Sequence, residues 1–265
     1  VQIQFTKMNG AGNDFVLIDN RAGDVVLSAA QVANICHRQR GVGADGVILL
    51  KPCVHEQADW AWNFFNSDGS EAEMCGNGAR CFARYLSRVT ELNGEISFLT
   101  VSGVIRAQID HFIVTVNLTD PTDLRLDETV SLSNGERQIH LLNTGVPHAV
   151  LFVDDADEAM VASLGSEIRH HEHFAPAGTN VNFVQLIEPG HICVRTYERG
   201  VGETLACGTG VTAAAMIAAR MHDYVPPIKV DVLGGDTLEV LFDEDLHNVR
   251  LTGPAEFVYE GVIEI

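Results

Sequence analysis

The chain repeats itself at long range, and nothing else in the sequence constrains its fold as much. Gly10-Ala11-Gly12-Asn13-Asp14-Phe15-Val16-Leu17-Ile18-Asp19 lies over Gly145-Val146-Pro147-His148-Ala149-Val150-Leu151-Phe152-Val153-Asp154, with Asp19 on Asp154, an offset of 135 residues. The same offset of 135 lays Asp45-Gly46-Val47-Ile48-Leu49 over Asn180-Val181-Asn182-Phe183-Val184. A third anchor, Asn66 through Gly78 over Glu198 through Gly210, has an offset of 132 and puts Glu71 on Glu203, Cys75 on Cys207, Gly76 on Gly208 and Gly78 on Gly210. A period this long far exceeds the roughly 20–45 residues of a solenoid repeat. It implies two homologous domains related by a pseudo-twofold axis, with corresponding residues facing a shared cleft. The expected domains are residues 1–117 and 118–252. The last strand, about 253–265, lies beyond the second repeat and could return to either domain; we place it with the first.

Composition narrows the function. Lys plus Arg number 17 and Asp plus Glu 36, a net charge of −19, which nucleic acid and anionic membrane surfaces repel. No stretch approaches the roughly 20 apolar residues of a membrane span. The N-terminal residues lack a charged segment followed by an apolar one, so no signal peptide is expected. Six cysteines in 265 residues make no disulfide framework. A reduced, cytoplasmic protein acting on a small molecule is the expectation.

Period-2 and short apolar runs predict strands at Val1–Lys7, Asp14–Asp19, Gly46–Leu50, Trp60–Phe65, Ile96–Thr100, Val104–Ile109, Phe112–Leu118, Ala149–Val153, Val181–Leu186, Ile192–Tyr197, Ile228–Val232 and Thr237–Phe242. Ser28-Ala29-Ala30-Gln31 reads as a capping box opening a helix to about Arg38. Asp155-Ala156-Asp157-Glu158 predicts another, to about His171. Two more helices begin after Cys75 and Cys207. The run Val211 to Ala219 is apolar on every face, as a helix buried all round would be. The fold class is α/β (α+β).

Cys75 and Cys207 therefore each sit at the mouth of a central helix, followed by Gly-x-Gly. The partial positive charge there favours a thiolate. Glycines let backbone N–H groups approach an anion such as a carboxylate. Two thiols on opposite faces of one carbon are what stereoinversion needs: one removes the α-proton and the other delivers a proton to the opposite face. Thiols that meet in a closed cleft could also form a disulfide. Cys36, Cys53, Cys81 and Cys193 read as small buried residues.

The motifs Gly10-Ala11-Gly12-Asn13-Asp14-Phe15, Asn66-Ser67-Asp68-Gly69-Ser70, Met74-Cys75-Gly76-Asn77-Gly78-Ala79-Arg80, Pro147-His148, Asn180-Val181-Asn182-Phe183 and Glu198-Arg199-Gly200-Val201-Gly202-Glu203-Thr204 through Ala206-Cys207-Gly208-Thr209-Gly210 resemble those of the diaminopimelate epimerases, cofactor-independent two-cysteine enzymes. The resemblance spans the chain. It implies two similar domains, each a mostly antiparallel sheet or barrel wrapped around a central helix, with the active site in the interdomain cleft. It also implies interconversion of LL- and meso-diaminopimelate, a step of lysine and peptidoglycan synthesis, and it points to a homodimer. Carried over by motif, Cys75 and Cys207 are the acid–base pair, and His148 and Glu198 tune them. Gly76-Asn77 and Gly208-Thr209 hold the reacting carboxylate, while Asn13, Asn66, Asn180, Glu198 and Arg199 bind the rest of the substrate. Chemically, Arg199 suits a distal carboxylate and Glu198 an ammonium. The chain departs from the pattern at Val146, where many members have Asn, and at Gly43-Ala44-Asp45-Gly46, where many have Gln.

Other readings are weaker. Gly41-Val42-Gly43-Ala44-Asp45-Gly46 matches a dinucleotide fingerprint literally, but follows a helix and precedes a strand, the reverse of that motif. His170-His171-Glu172-His173 lacks paired metal-ligand spacing, and only three lysines are present to form a Schiff base. No metal or cofactor is expected. The same chemistry on proline, hydroxyproline or histidine is the alternative substrate assignment, and a non-catalytic amino-acid-binding relative is the alternative class.

Overall fold

In a computed structural model of the chain, residues 2–54, 57–72, 74–92 and 94–265 are described. Val1, the first residue of the expected N-terminal strand, lies outside them. The chain forms two compact units, one of residues 1–116 with Gly253–Ile265, the other of Asn117–Thr252.

The first unit contains β1 (Gln2–Gly10), β2 (Asn13–Asp19), α1 (Ala29–Cys36), β3 (Gly46–Pro52), β4 (Trp60–Asn66), α2 (Gly76–Thr90), β5 (Glu95–Thr100), β6 (Gly103–Asp110) and β7 (Ile113–Asn117). β1 and β2 form a hairpin whose two loop residues, Ala11 and Gly12, both have positive φ (57° and 86°). Such a turn matches the twist of the strands and delivers Asn13 at the first position of β2. α1 joins the parallel pair β2 and β3, and α2 joins the parallel pair β4 and β5. Both halves of the capping box at Ser28 and Gln31 are formed. α2 is buried from Gly76 through Ala83 and again at Tyr85 and Leu86, with Phe82 packed on Trp62 and Phe98.

The second unit repeats this plan with β8 (Thr122–Leu132), β9 (Gly135–Asn143), β10 (Pro147–Phe152), α3 (Val161–His170), β11 (Asn180–Glu188), β12 (His191–Glu198), β13 (Gly202–Thr204), α4 (Gly208–His222), β14 (Ile228–Val232), β15 (Thr237–Leu241) and the first three residues of β16 (Arg250–Pro254). α3 joins parallel β10 and β11, and α4 joins parallel β12 and β14. The remaining register-resolved pairings in both units are antiparallel. α2 and α4 each have 15 residues. Ala213, Ala214, Ala215, Ala218 and Ala219 of α4 are all buried, and their small side chains let the surrounding strands close on the helix. The last strand, β17 (Glu256–Glu264), belongs to the first unit and pairs antiparallel with β1. No helix among the described residues is long and apolar enough to cross a membrane.

Two sequence expectations are corrected, and one hairpin is added. α3 starts at Val161, not Asp155. The Asp155 carboxylate accepts from the N–H of Asp157 (2.8 Å), and the N–H of Ala156 is taken by Gln185 Oε1 (3.0 Å), so this segment makes a local turn instead of a helix start. The hairpin of β8 and β9 was not anticipated. Most of β8 is exposed, and its register shifts fall around Asp123 and Asp127, both at positive φ. Finally, the offset of 135 that lays Val47 on Asn182 is one residue out. Val47 and Leu49 pack with Val16 and Ile18 under α1, whereas Val181 and Phe183 pack with Ala149 and Leu151 under α3. A shift of one exchanges the two faces of a strand.

α3 lies tight against β12 at Gly165, where an added Cβ would stand 2.6 Å from Cβ and 2.7 Å from Cγ of Tyr197. Gly→Ala in a helix ordinarily stabilises by about 1 kcal/mol. Here Gly165→Ala is expected to destabilise by about 1–3 kcal/mol through overpacking, read as a lower urea midpoint. A raised midpoint would show that Tyr197 yields freely.

Candidate active site

Each central helix begins at a cysteine. Cys75 is the N-cap of α2 and its sulfur accepts from the N–H of Gly78 (3.4 Å). Cys207 is the N-cap of α4 and its sulfur stands 3.5 Å from Thr209 Oγ1. Neither cap is the Ser, Thr, Asp or Asn that satisfies a helix start best, so both helix mouths place a thiol beside first-turn N–H groups. Burial pushes the Cys36 and Cys81 thiols up to about 12, and raises Cys193 as well.

In the first unit, Asn13 meets the thiol. The Cys75 thiol donates to Asn13 Oδ1 (3.4 Å), and Asn77 Nδ2 donates to the same oxygen (3.4 Å). The amide is oriented from behind, because Asn13 Nδ2 donates to the Asp45 carboxylate. Asp45 is itself held by Arg38 (2.7 Å), and Arg38 and Lys7 both pair with Asp14 (2.9 and 2.7 Å). Burial pushes Asp14 up, but the Arg38 and Lys7 hydrogen bonds outweigh it and hold the carboxyl below its ordinary range. Asn77 is oriented by Arg80, which is fully buried on α2 and donates to Asn77 Oδ1 (2.9 Å) and to the carbonyl of Pro254 (3.3 Å). Asn66 is exposed at the end of β4, its amide donating to Ser70 Oγ (3.0 Å).

In the second unit, His148 takes the place that Asn13 has in the first. Its Nε2 lies 3.0 Å from Thr209 Oγ1 and its Nδ1 lies 3.1 Å from Asn182 Nδ2. Burial, with a smaller effect of the Arg199 charge, pushes His148 down to about 3. Asn180 opens β11, and its Oδ1 accepts from the backbone N–H of Arg199 (2.9 Å). Glu198 ends β12 and accepts from the Thr204 hydroxyl (2.6 Å). Arg199 follows it, with a guanidinium N–H donating to the carbonyl of Ala177 (3.4 Å).

The structure thus gathers Asn13, Cys75, Gly76 and Asn77 in one unit, and His148, Cys207, Gly208 and Thr209 in the other. Asn180, Glu198 and Arg199 cluster at the shared end of β11 and β12. Four residues that received no role from the sequence complete these groups: Asp45, Arg80, Asn182 and Thr196, whose hydroxyl donates to Asn182 Oδ1 (3.0 Å). Asn182 lies two residues beyond Asn180 on one strand face, a period-2 signal in the motif itself. The His170–His173 segment forms the end of α3 and a 3₁₀ turn, and no metal-holding group occurs among the described residues.

The fold is that of the two-domain proteins exemplified by a PhzF-family phenazine biosynthesis protein from Bacillus anthracis (TM-score 0.75, 16% identity, 100% of each chain). A probable proline racemase from Agrobacterium radiobacter K84 is similar (TM-score 0.74, 18% identity, 99% of this chain and 92% of that one). The family model described as diaminopimelate epimerase matches residues 5–122 and 140–258. A protein named diaminopimelate epimerase from Aquifex aeolicus (strain VF5) is 44% identical, covering 98% of this chain and 97% of its own. One of the same name from Hydrogenobaculum sp. (strain Y04AAS1) is 42% identical, covering 97% of each. The chain belongs to the diaminopimelate epimerase family.

Two predictions follow from the packing and the buried imidazole. An added Cβ at Gly210 would stand 2.4 Å from Asn182 Oδ1 and 3.3 Å from Cys207 Sγ, whereas at Gly78 the nearest atoms are at 3.4 Å or more. Gly78→Ala should therefore fold with near wild-type stability, and Gly210→Ala should lose about 1–3 kcal/mol; equal urea midpoints would contradict this. His148 has a folded pKa of about 3 against an ordinary 6.5. The unfolded chain therefore binds the extra proton between those values, and stability falls as pH drops through that window. His148→Gln should flatten the decline in urea midpoint between about pH 6.5 and pH 4. An unchanged slope would place the acid sensitivity elsewhere.

Proposed function

We propose that the protein interconverts LL- and meso-diaminopimelate, with Cys75 and Cys207 as the two acid–base groups. The observation that carries this reading is the recurrence, in a chain of this family, of a thiol at the mouth of each central helix with Gly-x-Gly behind it. One thiolate removes the α-proton while the other thiol protonates the opposite face. The pair exchanges roles when the reaction runs backward. The carbanion forms next to a carboxylate that the first-turn N–H groups at Gly76-Asn77 and Gly208-Thr209 hold, and those donors stabilise charge as it develops. His148 acts on the Cys207 side and Glu198 nearby on β12.

The substrate carries a second amino-acid group, and the residues offered for it have matching chemistry. Arg199 suits the distal carboxylate, Glu198 the ammonium, and Asn13, Asn66 and Asn180 can serve either group because an amide both donates and accepts. Proline, hydroxyproline and histidine have only one carboxylate and leave the Arg199 group without a partner. The product serves lysine and peptidoglycan synthesis.

The test is exchange of the α-proton of LL-diaminopimelate in D₂O, followed by NMR, with reduced protein. Loss of the α-proton signal together with formation of the meso isomer is expected. Cys75→Ala and Cys207→Ala should each slow inversion by at least about 10²-fold, the contribution of a positioned acid or base. Undiminished inversion in either variant would overturn the two-thiol assignment, and equal turnover of proline would overturn the substrate.

A further inference from the structure

Asn182 is fully buried on β11, beside His148, and its amide orientation is fixed by two partners. The carbonyl of Ala149 can only accept, so the amide atom 3.2 Å from it is Nδ2. The Thr196 hydroxyl donates to Oδ1 from the other side (3.0 Å). The second N–H of Nδ2 is thereby directed at His148 Nδ1, 3.1 Å away. A ring nitrogen that receives a hydrogen bond carries no proton. His148 is held neutral by burial, so its single proton lies on Nε2 and is donated to Thr209 Oγ1 (3.0 Å). With that lone pair engaged, the Thr209 hydroxyl can turn its own proton toward Cys207 Sγ at 3.5 Å.

We propose that Asn182 is a positioning residue of the reaction: it selects the His148 tautomer and so makes Thr209 a hydrogen-bond donor to the Cys207 sulfur. The proposal rests on the reading of Cys207 as one of the two acid–base thiols. A donated hydrogen bond favours the thiolate. The opposite tautomer would reverse the chain. Nε2 would then accept from Thr209, and hydroxyl lone pairs would face the sulfur and favour the thiol. The charged group that acts on these hydrogen bonds is Arg199, through His148; its neighbour Glu198 is held by Thr204. Gly210 allows the close approach, since a Cβ there would stand 3.3 Å from both Cys207 Sγ and His148 Cε1.

The experiment reads the tautomer without substrate. Protein labelled with ¹⁵N-histidine, with the His148 signals assigned by their loss in His148→Gln, should show Nε2 protonated and Nδ1 unprotonated. A protonated Nδ1 would overturn the proposal. The double variant Asn182→Leu, Thr196→Val replaces both polar partners by apolar groups of the same branching. It should mix the two tautomers and slow iodoacetamide alkylation of Cys207 roughly tenfold at neutral pH, the scale of one lost hydrogen bond to a charged group. The alkylation is followed by mass spectrometry of the Cys207 peptide in a Cys75→Ala background. Thr196→Val alone, expected to fold even if the double variant does not, should move both readouts in the same direction, and Thr196→Ser should restore them. Mixed tautomers with unchanged Cys207 alkylation would overturn the link through Thr209. Neither readout needs turnover, so a protein inert toward diaminopimelate would refute the functional reading and leave this result standing.

Discussion

The start of an α-helix leaves backbone N–H groups without partners inside the helix, and much of this architecture follows from where those groups are put. Both central helices begin within a unit, with most of their residues buried, so their first turns must be satisfied by groups close at hand. At α2 the Cys75 sulfur takes the N–H of Gly78. At α4 the side chain of Cys207 makes no cap hydrogen bond. Sulfur is a weak acceptor, and a helix mouth closed by it keeps its dipole available to a stronger anion. A Ser or Asp cap would hold the helix better and compete with a bound carboxylate for the same donors.

The strands then decide which side chain meets each thiol. The first residues of β2 and β10 arrive beside the two helix mouths, one by the tight Ala11-Gly12 turn and the other by a loop through Gly145 at positive φ. The repeat places Asn13 and His148 in equivalent positions, and likewise Asn77 and Thr209. The contact between the partners is kept in both units, at 3.4 Å for the two asparagines and 3.0 Å for the histidine and threonine. The supports differ. Asn13 is oriented by the Asp45 carboxylate, itself part of an ion-paired group with Arg38, Asp14 and Lys7, whereas His148 is oriented by the neutral amide of Asn182. A buried imidazole beside a carboxylate would be drawn toward the cation; beside an amide it stays neutral.

These particulars separate what could be read in the sequence from what could not. The duplication, the helix mouths and the capping box at Ser28 were legible because each rests on local spacing, and local spacing survives into the fold. The parity of the offset between β3 and β11 was not, because apolar residues stand on both faces of these strands and the core-facing set shows only once α1 and α3 are in place. β8 escaped because an exposed strand with two bulges loses its alternation. Asp155 looked like a helix cap because its carboxylate does cap a backbone N–H, but in a turn. Asp45 and Asn182 are supporting residues whose partners lie 32 and 34 positions away. Spacing carries no signal for pairings of that kind unless the register of the intervening strands is already known.

The divergence of the two helix mouths bears on the proposed two-thiol chemistry. Inversion by two groups requires at each moment one that holds a proton and one that does not, so two identical surroundings would leave their assignment to chance. At Cys75 the sulfur stands between the Asn13 amide oxygen, which can only accept, and the Gly78 N–H, which can only donate. A hydroxyl at Cys207 can donate or accept, so its direction must be set from outside. The buried pair Asn182 and Thr196 behind His148, and the lack of room at Gly210, meet that requirement. Buried polar groups are costly unless all their hydrogen bonds are made. Here each bond also fixes the direction of the next, from the Thr196 hydroxyl through the Asn182 amide and the His148 ring to Thr209. The arrangement uses neutral donors throughout, so it can orient a proton at the sulfur without a charged hydrogen-bond partner there.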